Sequence, residues 1–371
     1  MSIKRPGARV ATLLALLLSI ALPTGLAMAQ EPAAISAGGT GTAIISDGAS
    51  LGDTITVAME DVSAPAAGTA LEGWLVSDNG EDNLSVGVMT VAGDGTVAHV
   101  FVSADGENLT NGYNKFVVTV EPVPDSDSGP SDVVAFSHRI PLSSMAHIRH
   151  LLTDWPPGSG TGILSNLQTQ IQLALTHAQL AIDSDTLEEV QLHTHQVIDI
   201  IEGGVLLHAS DAQHATFAAG ESPDDTVIAE HAALVESSGG NAASHAGGAR
   251  DQALVSLDQS TLFLAKLQLS PVVGFLSSAL NGLDSNADGT IKSAGTEGAA
   301  AQAYVEAQLM ATYTLTAGGL APVGPEFGIG LSNAGDESVA TMAMFALAAA
   351  LVLILGGGAM VMRSRRVRND R

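Results

Sequence analysis

Histidine is the residue type whose number and spacing in this sequence point most directly to chemistry. Ten of the eleven histidines lie between His138 and His245. His147 and His150 are three residues apart, so both rings would share one face of a helix and could chelate one ion. The sequence has no cysteine, which excludes thiolate ligands and cysteine nucleophiles. Imidazole nitrogens without thiolates suit zinc, copper or haem iron.

Three further histidines flank the apolar stripes of two predicted helices, where they can face a groove between helices. His193 and His195 are two residues apart, about 200° around a helix, so only one of them can join a shared site. One hypothesis is a transition-metal or haem site made by His147, His150, His177 and one of His193 or His195. The alternative is a set of surface histidines, which the sequence favours because it has no Glu-x-x-His or His-Glu-x-x-His pair.

A second candidate metal site is the stretch "DSNADGTIKSAGTEG" at residues 284–298. Its first half matches a calcium loop, with oxygen ligands at alternate positions and a glycine at the sixth. Position 12 is Gly295, which has no carboxylate, and the next acid comes two residues late. The stretch predicts either a weak calcium site or a turn whose side chains accept backbone N–H groups. The candidate ligands are Asp284, Asn286, Asp288, Thr290 (carbonyl) and Glu297.

The two ends of the chain predict export and a membrane anchor. Residues 1–29 have a basic start, the apolar core "VATLLALLLSIAL" and the small residues "AMA", as a cleaved signal peptide has; an uncleaved N-terminal anchor is the alternative. Residues 339–362 carry no charge and are long enough for a transmembrane helix. The basic tail, residues 363–371, would be cytoplasmic and the bulk of the chain extracytoplasmic. The preceding "LSNAGDES" matches a sortase signal only in part, so wall anchoring is the less favoured alternative.

The exported part is strongly acidic. Between Gln30 and Ser338 there are 38 acidic and six basic residues, and the whole chain has a net charge of −25. Such a surface repels nucleic acid and attracts cations or a basic partner. We therefore expect a protein or cation ligand outside the membrane, membrane contact through the C-terminal helix, and no nucleic-acid partner.

The hydrophobic pattern of the exported part changes near Pro141, from the alternation of strands to the periodicity of helices. Residues 30–141 contain about seven short alternating runs separated by turn residues, which predict an antiparallel β-sandwich. Residues 142–317 have helical periodicity and predict an all-α bundle, with Gly203-Gly204 ending one helix and a loosely packed helix and flexible loop over residues 210–248. Residues 318–338 predict a Gly/Pro-rich stalk. The expected fold class is therefore multidomain α+β with a single C-terminal transmembrane helix.

The strand region resembles the extracytoplasmic C-terminal domain of anti-sigma-K-type regulators over residues 65–140. The resemblance rests on "PAAGTALEGWLV", "SVGVM", Asp94-Gly95, "VVTVEP" and Gly129-Pro130, in that order. Leu71 stands where the family usually has tyrosine, and "VPDSDS" replaces a Gly-Gly. The resemblance implies a sandwich fold and an exterior sensing or interaction role. It does not extend to the family's sigma-binding domain, for which the nine-residue tail is too short.

No nucleophile–base pair or carboxylate dyad stands out, so we expect no catalytic activity. The sequence predicts a membrane-anchored, exported, acidic binding or sensing protein. The alternative is an exported metal- or haem-binding helical module, tethered to the membrane or cell wall. Calcium would be the cofactor of the first, and a transition metal or haem the cofactor of the second.

Overall fold

A computed structural model describes residues 38–317 of the chain. The expected signal peptide, stalk, C-terminal transmembrane helix and basic tail lie outside the described residues. The described part is mixed α and β: seven strands come first, then the helices, then an eighth strand. The change from strand to helix falls at Pro141, where the sequence predicts it.

The strands form one antiparallel sheet with the order β4-β3-β6-β7-β8-β1-β2-β5. Their alternation is regular: in β2, Ile55, Val57 and Met59 are buried while the residues between them are not. Period-2 patterning of this kind buries one face of a strand and leaves the other accessible. The strands are β1 Thr40–Ser46, β2 Thr54–Glu60, β3 Thr69–Ser77, β4 Asn83–Met89, β5 Val97–Val102, β6 Tyr113–Pro122, β7 Val134–Arg139 and β8 Tyr313–Ala317.

The single sheet corrects the expectation of a two-sheet sandwich. Its two edge strands, β4 and β5, approach one another, so the sheet is a nearly closed barrel. The Nε2 atom of His99 on β5 lies 2.7 Å from the Val86 carbonyl oxygen on β4, and Val91 forms a bridge with Val97. Alternation shows which residues face inward, but it does not show whether strands join in one sheet or two.

Strand β8 comes from the end of the segment expected to be helical. It lies between β7 and β1, with Ser137 opposite Thr316 and Thr40 also opposite Thr316. Tyr313 is fully buried, and its hydroxyl donates to the Tyr113 carbonyl at 3.2 Å. The chain therefore returns to the sheet after the helices, and both ends of the described segment lie at the same end of the barrel.

Eight helices follow β7. They are α1 Leu142–Leu152, α2 Ile163–Asp183, α3 Leu187–Ile200, α4 Leu206–Asp211, α5 His214–Glu221, α6 Thr226–Leu257, α7 Leu262–Asn281 and α8 Ala300–Leu309. The sequence predicts that Gly203 and Gly204 end a helix, and this prediction is wrong. They lie in a π-helical turn, Ile201–Val205, that joins α3 to α4. A Cβ atom on Gly204 would lie 2.8 Å from the Gln170 side chain, so glycine permits this close approach to α2.

The prediction of a loose helix and flexible loop over residues 210–248 is wrong. Most of this stretch belongs to α6, a regular helix of 32 residues. Its buried positions are almost all small, among them Ala242, Ala246, Ala249 and Ala253, and they pack against α7 and α8. Small residues give weak hydrophobic periodicity, yet they let helices pack closely, which is why the sequence pattern is misleading here.

One buried core extends from the sheet into the helices. Phe116 and Phe136 of the sheet, Ile148 of α1 and Leu167 of α2 are fully buried in the same cluster. Trp74 is also buried, but it packs with Val76 and Val117 in a separate small cluster. Among the described residues, α7 alone is long and apolar enough to cross a membrane by length and composition.

Candidate metal centre

Three histidines converge where α1 meets α5. His147 and His150 lie on α1, and His214 is the first residue of α5. The Nδ1 atom of His214 lies 2.9 Å from Nδ1 of His147 and 3.3 Å from Nδ1 of His150. One potential ligand atom from each ring lies within 4.8 Å of the others. We call these three residues the histidine triad.

The two distances to Nδ1 of His214, 2.9 and 3.3 Å, are close to the spacing of ligands that share an ion. With metal–nitrogen bonds of 2.0–2.1 Å in tetrahedral geometry, two ligand nitrogens are about 3.3 Å apart. Hydrogen bonding explains the arrangement less well, because an imidazole nitrogen has one in-plane site, either an N–H or a lone pair. The Nδ1 atom of His214 faces two such nitrogens, and it can form a good hydrogen bond with only one of them.

The surroundings keep the triad neutral. Burial, together with the neighbouring His150 and His147, lowers the pKa of His214 to about 4. Burial is also the main cause that lowers the pKa of His147 and the pKa of His150. Metal binding requires the unprotonated nitrogen, so all three rings are ready to bind near neutral pH.

Aromatic rings enclose the triad. The Trp155 ring centroid lies 4.8 Å from that of His150 and 4.6 Å from that of His214. The Phe217 ring lies 5.5 Å from both His147 and His214. The Trp155 side chain also hydrogen-bonds Asp211, whose pKa is raised by burial. These contacts limit rotation of the imidazole rings and therefore hold their nitrogens in place.

The helix that carries His147 and His150 is fixed on two sides. Ser144 donates to the Ala218 carbonyl on α5 at 2.8 Å and lies 2.8 Å from the Ser222 hydroxyl. Arg149, between the two histidines in sequence, binds both carboxylate oxygens of Asp78 at 2.6 and 2.8 Å. Its Nε–H also donates to the Thr110 carbonyl at 2.7 Å. The barrel and α5 together therefore position α1.

One side of the triad is accessible to solvent. His150 lines a surface cavity of about 520 Å³ together with Asn111, Arg149, Thr153 and Asp154. His214 is 5% exposed, whereas His147 and His150 are only half-buried. A bound ion could therefore take water or a small ligand as its fourth partner from the His150 side.

The other predicted histidines lie apart from this triad. Nδ1 of His177 on α2 is 3.3 Å from Nδ1 of His193 on α3, so these two rings form a pair. His193 Nδ1 also lies 2.8 Å from Oε1 of Gln196. His195 is exposed on the other side of α3. The five predicted histidines are thus divided into two from the triad, one separate pair and one surface residue.

The sequence reasoning missed His214. It lies 67 residues after His147, in the small-residue stretch that was predicted to be loosely packed. The spacing of His147 and His150 identifies two ligands of the triad. No local pattern identifies the third, because the turn around Gly203-Gly204 and the packing of α4 and α5 determine its position.

The loop at residues 284–297 has its carboxylates engaged. Asp284 accepts the backbone N–H groups of Asp288 and Gly289 at 3.1 and 2.9 Å. Asp288 accepts the Thr290 N–H at 2.9 Å and binds the Lys292 ammonium at 2.5 Å. The Lys292 ammonium is the main reason that the pKa of Asp288 falls to about 2.

Glu297, the acid two residues beyond position 12, folds back onto the loop. Glu297 is 5% exposed, and its carboxylate accepts the Lys292 N–H at 3.2 Å and the Ser285 hydroxyl at 3.4 Å. Asn286 accepts the Asp288 N–H at 2.8 Å. Within residues 38–317, the loop acids do not form a group of three with ligand atoms as close as those of the triad. Hydrogen bonds within the loop therefore account for its shape.

The one match to a known family covers the first third of the chain. No curated protein and no solved structure matched the chain. The model of one family, the C-terminal domain of anti-sigma-K factor RskA, matches residues 8–134. The match includes the first apolar segment, which lies outside the described residues, and strands β1 to β6, and it ends at the first residue of β7. This family suggests membrane association. About one third of the chain is thus similar to the anti-sigma-K factor C-terminal family. The triad and every helix of the described region lie outside the matched residues.

Proposed function

We propose that this chain is a membrane-anchored, extracytoplasmic protein that binds a transition-metal ion at His147, His150 and His214. The observation that carries the proposal is the convergence of the Nδ1 atoms of His147 and His150 on Nδ1 of His214, at 2.9 and 3.3 Å. Three neutral imidazoles suit Zn²⁺, Cu²⁺, Ni²⁺ or Co²⁺. This is the second of the two functions expected from the sequence, with a changed set of ligands.

An ion fits the triad better than haem does. Haem iron takes its axial ligands from opposite faces of a macrocycle, which must fit between them. The short distance between the nitrogens of His147 and His214 leaves no room for a porphyrin between those rings. A single ion needs only the space between three nitrogens.

The membrane anchor is the part of the proposal that rests on sequence. The 24 uncharged residues at 339–362 and the basic tail support a single-pass anchor with a cytoplasmic C-terminus. The family match supports membrane association of the β region. Covalent wall attachment is the less favoured form of anchoring. We propose that binding or sensing, rather than catalysis, is the role of the exported part, and that its ligands are cations or a protein.

Equilibrium dialysis of the full chain in detergent against Zn²⁺ and Cu²⁺ tests the metal site. We expect one tightly bound ion per chain, and no tightly bound ion in His214→Ala. His195→Ala is the matched control, because His195 is exposed and lies outside the triad. If the His214→Ala variant keeps the parent stoichiometry and affinity, the triad is not the binding site.

Copper binding has a second readout in Trp155. Its ring lies within 5 Å of the rings of His150 and His214, and Cu²⁺ quenches nearby indole fluorescence. The only other tryptophan, Trp74, is buried in the small cluster on the sheet. We expect quenching to be lost in Trp155→Phe while the bound copper remains.

A further inference from the structure

The turn between α6 and α7 carries a concentration of exposed large apolar side chains. Phe263 is 74% exposed and Leu267 is 55% exposed on the first turns of α7. Leu254 and Val255 are exposed at the end of α6. Soluble surfaces seldom expose so many large apolar residues together unless the patch binds something. We call Leu254, Val255, Phe263, Leu264 and Leu267 the hairpin surface.

Contacts between the two helices place these residues at one level of the hairpin. Ser256 on α6 donates to the Ala265 carbonyl on α7 at 2.9 Å. One turn further from the tip, the amide of Gln252 bonds Gln268 at 2.6 Å. The exposed apolar residues of the two helices therefore lie at the same level, close to the tip of the hairpin.

Helix α7 is apolar on both of its faces. Its buried face is Ala265, Leu269, Val272, Leu276 and Ala279, which packs into the helical core. Its exposed face continues from the hairpin surface through Ser270, Pro271 and Gly274 to Phe275, which is 40% exposed, and no residue on it is charged. A helix on the surface of a soluble protein normally has a polar outer face. The outer face of α7 therefore suits contact with an apolar medium.

The charge distribution indicates which medium this is. On the α7 side of the hairpin, residues 259–283 contain no acid and one base, Lys266, in a chain with 39 acidic residues. The acids of the hairpin tip, Asp251 and Asp258, are exposed on the α6 side. A second copy of the chain would bring another net charge of −25 close to the first, which opposes association. A neutral bilayer surface adds no such repulsion, and a lysine beside an apolar face can extend its ammonium towards the lipid headgroups.

The chain also supplies a tether of suitable length. Strand β8 ends at Ala317, and 21 residues separate it from the uncharged segment at 339–362. Fully extended, 21 residues span at most about 70 Å. A body held this close to a bilayer meets it repeatedly, so even a modest apolar surface has a high effective concentration of lipid around it.

We propose that the α6–α7 hairpin surface docks on the outer leaflet of a zwitterionic lipid bilayer, with Phe263 and Leu267 inserted between the headgroups. The hairpin is then a second, interfacial contact beside the expected transmembrane segment. It would fix the orientation of the helical region relative to the membrane. The proposal does not depend on metal binding.

Site-specific depth quenching in vesicles tests this docking. The chain has no cysteine, so the variants Phe263→Cys and Leu192→Cys each take a single thiol-linked fluorophore. Leu192 on α3, 56% exposed, is the matched control. The full chain is reconstituted in phosphatidylcholine vesicles that contain a lipid with a nitroxide on its acyl chain. Thermal melting of each labelled variant checks that it is folded, and Leu267→Cys repeats the test at a second position.

We expect the lipid nitroxide to quench the label at residue 263 several-fold more than the label at residue 192, and aqueous iodide to show the opposite order. Equal quenching at both positions by both agents would overturn the proposal. A label at residue 263 that is shielded from iodide but not quenched by the lipid nitroxide would also overturn it. That result would show instead that a second copy, or another segment of this chain, covers the hairpin surface.

Discussion

The histidine triad, two of whose members are candidate ligands from sequence, and the loop at residues 284–297 differ in how their potential ligand atoms are used. In the triad, three nitrogens face one another, and Nδ1 of His214 cannot form good hydrogen bonds with both of its neighbours. In the loop, the oxygens of Asp284 and Asp288 accept N–H groups of the loop itself, and Lys292 supplies a cation. A metal ion would use all three nitrogens of the triad, whereas the loop carboxylates already have partners within the loop.

The two sites also differ in support. The triad lies where α1, α5 and Trp155 pack together, and Arg149 fixes α1 to the barrel. The loop is exposed along its first half and is attached at its end, where Ser237 and Asn241 of α6 donate to the Gly295 carbonyl. Ligands held by rigid elements lose little entropy on binding, so the triad should bind its ion more tightly.

The largest expected effect is on metal-dependent stability at the triad. At a zinc concentration about 1,000 times Kd, binding raises the free energy of unfolding by about 4 kcal/mol. In a folded region of this size that is roughly 10 °C in Tm. Differential scanning fluorimetry of the full chain should show this shift in the parent and in His195→Ala, and little or none in His214→Ala. If zinc raised the Tm of His214→Ala as much as that of the parent, the triad would not be the zinc site.

The support of α1 should have the next largest effect. Replacing Asp78 by Asn leaves the guanidinium of Arg149, which is mostly buried, without its carboxylate partner. We expect a loss of about 2 kcal/mol in the free energy of unfolding, and weaker zinc binding because α1 carries two triad ligands. Urea unfolding and dialysis measure the two effects.

Asp251→Asn is the control for this substitution. It breaks the exposed pair with Arg250, and such pairs contribute at most about 1 kcal/mol. If Asp78→Asn were as mild as Asp251→Asn, the barrel would not be supporting the triad.

Acid should destabilise the metal-free protein through the triad. The folded-state pKa of His214, about 4, lies below the ordinary histidine value of 6.5, so the folded state binds fewer protons than the unfolded state between these values. The contribution of His214 to the free energy of unfolding is therefore fully present above about pH 6.5, and it is lost as the pH drops towards 4. The Tm of the metal-free chain should follow this course, and the fall should be smaller in His214→Gln, whose side chain does not titrate. An equal fall in that variant would assign the acid sensitivity to other groups.

The smallest expected effect is calcium binding at the loop. A calcium ion would have to displace the Lys292 ammonium from Asp288, so we expect a shift of about 1 kcal/mol or less in about 3 mM calcium. Lys292→Gln should enlarge the shift, and Asp288→Ala should remove it. Melting of the full chain in calcium and in chelator measures all three proteins. The same calcium response in the parent and in Asp288→Ala would show that the loop is only a turn.

Strands and most helices were predictable because their burial is strongly periodic. Ile55, Val57 and Met59 alternate in β2, and Leu164, Leu167 and Ile171 recur along α2. The closure of the sheet and the return of β8 were not predictable, because they depend on pairing between residues far apart, such as Thr40 with Thr316. The length and regularity of helix α6 were missed because small residues, mostly alanine, form most of its buried face.

The candidate site was predictable to the extent that it is local. His147 and His150 share a helix face through their spacing alone. His214 joins them only after α2 to α5 have packed, so no window of sequence contains the signal. Trp155 and Asp211, which hold the rings in place, belong to the same long-range arrangement.

X-ray absorption at the zinc edge of the full chain, loaded with one equivalent of Zn²⁺, tests the central claim most directly. The account predicts three imidazole nitrogens bound to zinc at about 2.0–2.1 Å, with an oxygen or solvent ligand completing the shell. It also predicts that His214→Ala loses this three-imidazole signature while His195→Ala retains it. A zinc shell dominated by carboxylate oxygens, or an imidazole count unchanged in His214→Ala, would contradict the assignment of the metal to the triad.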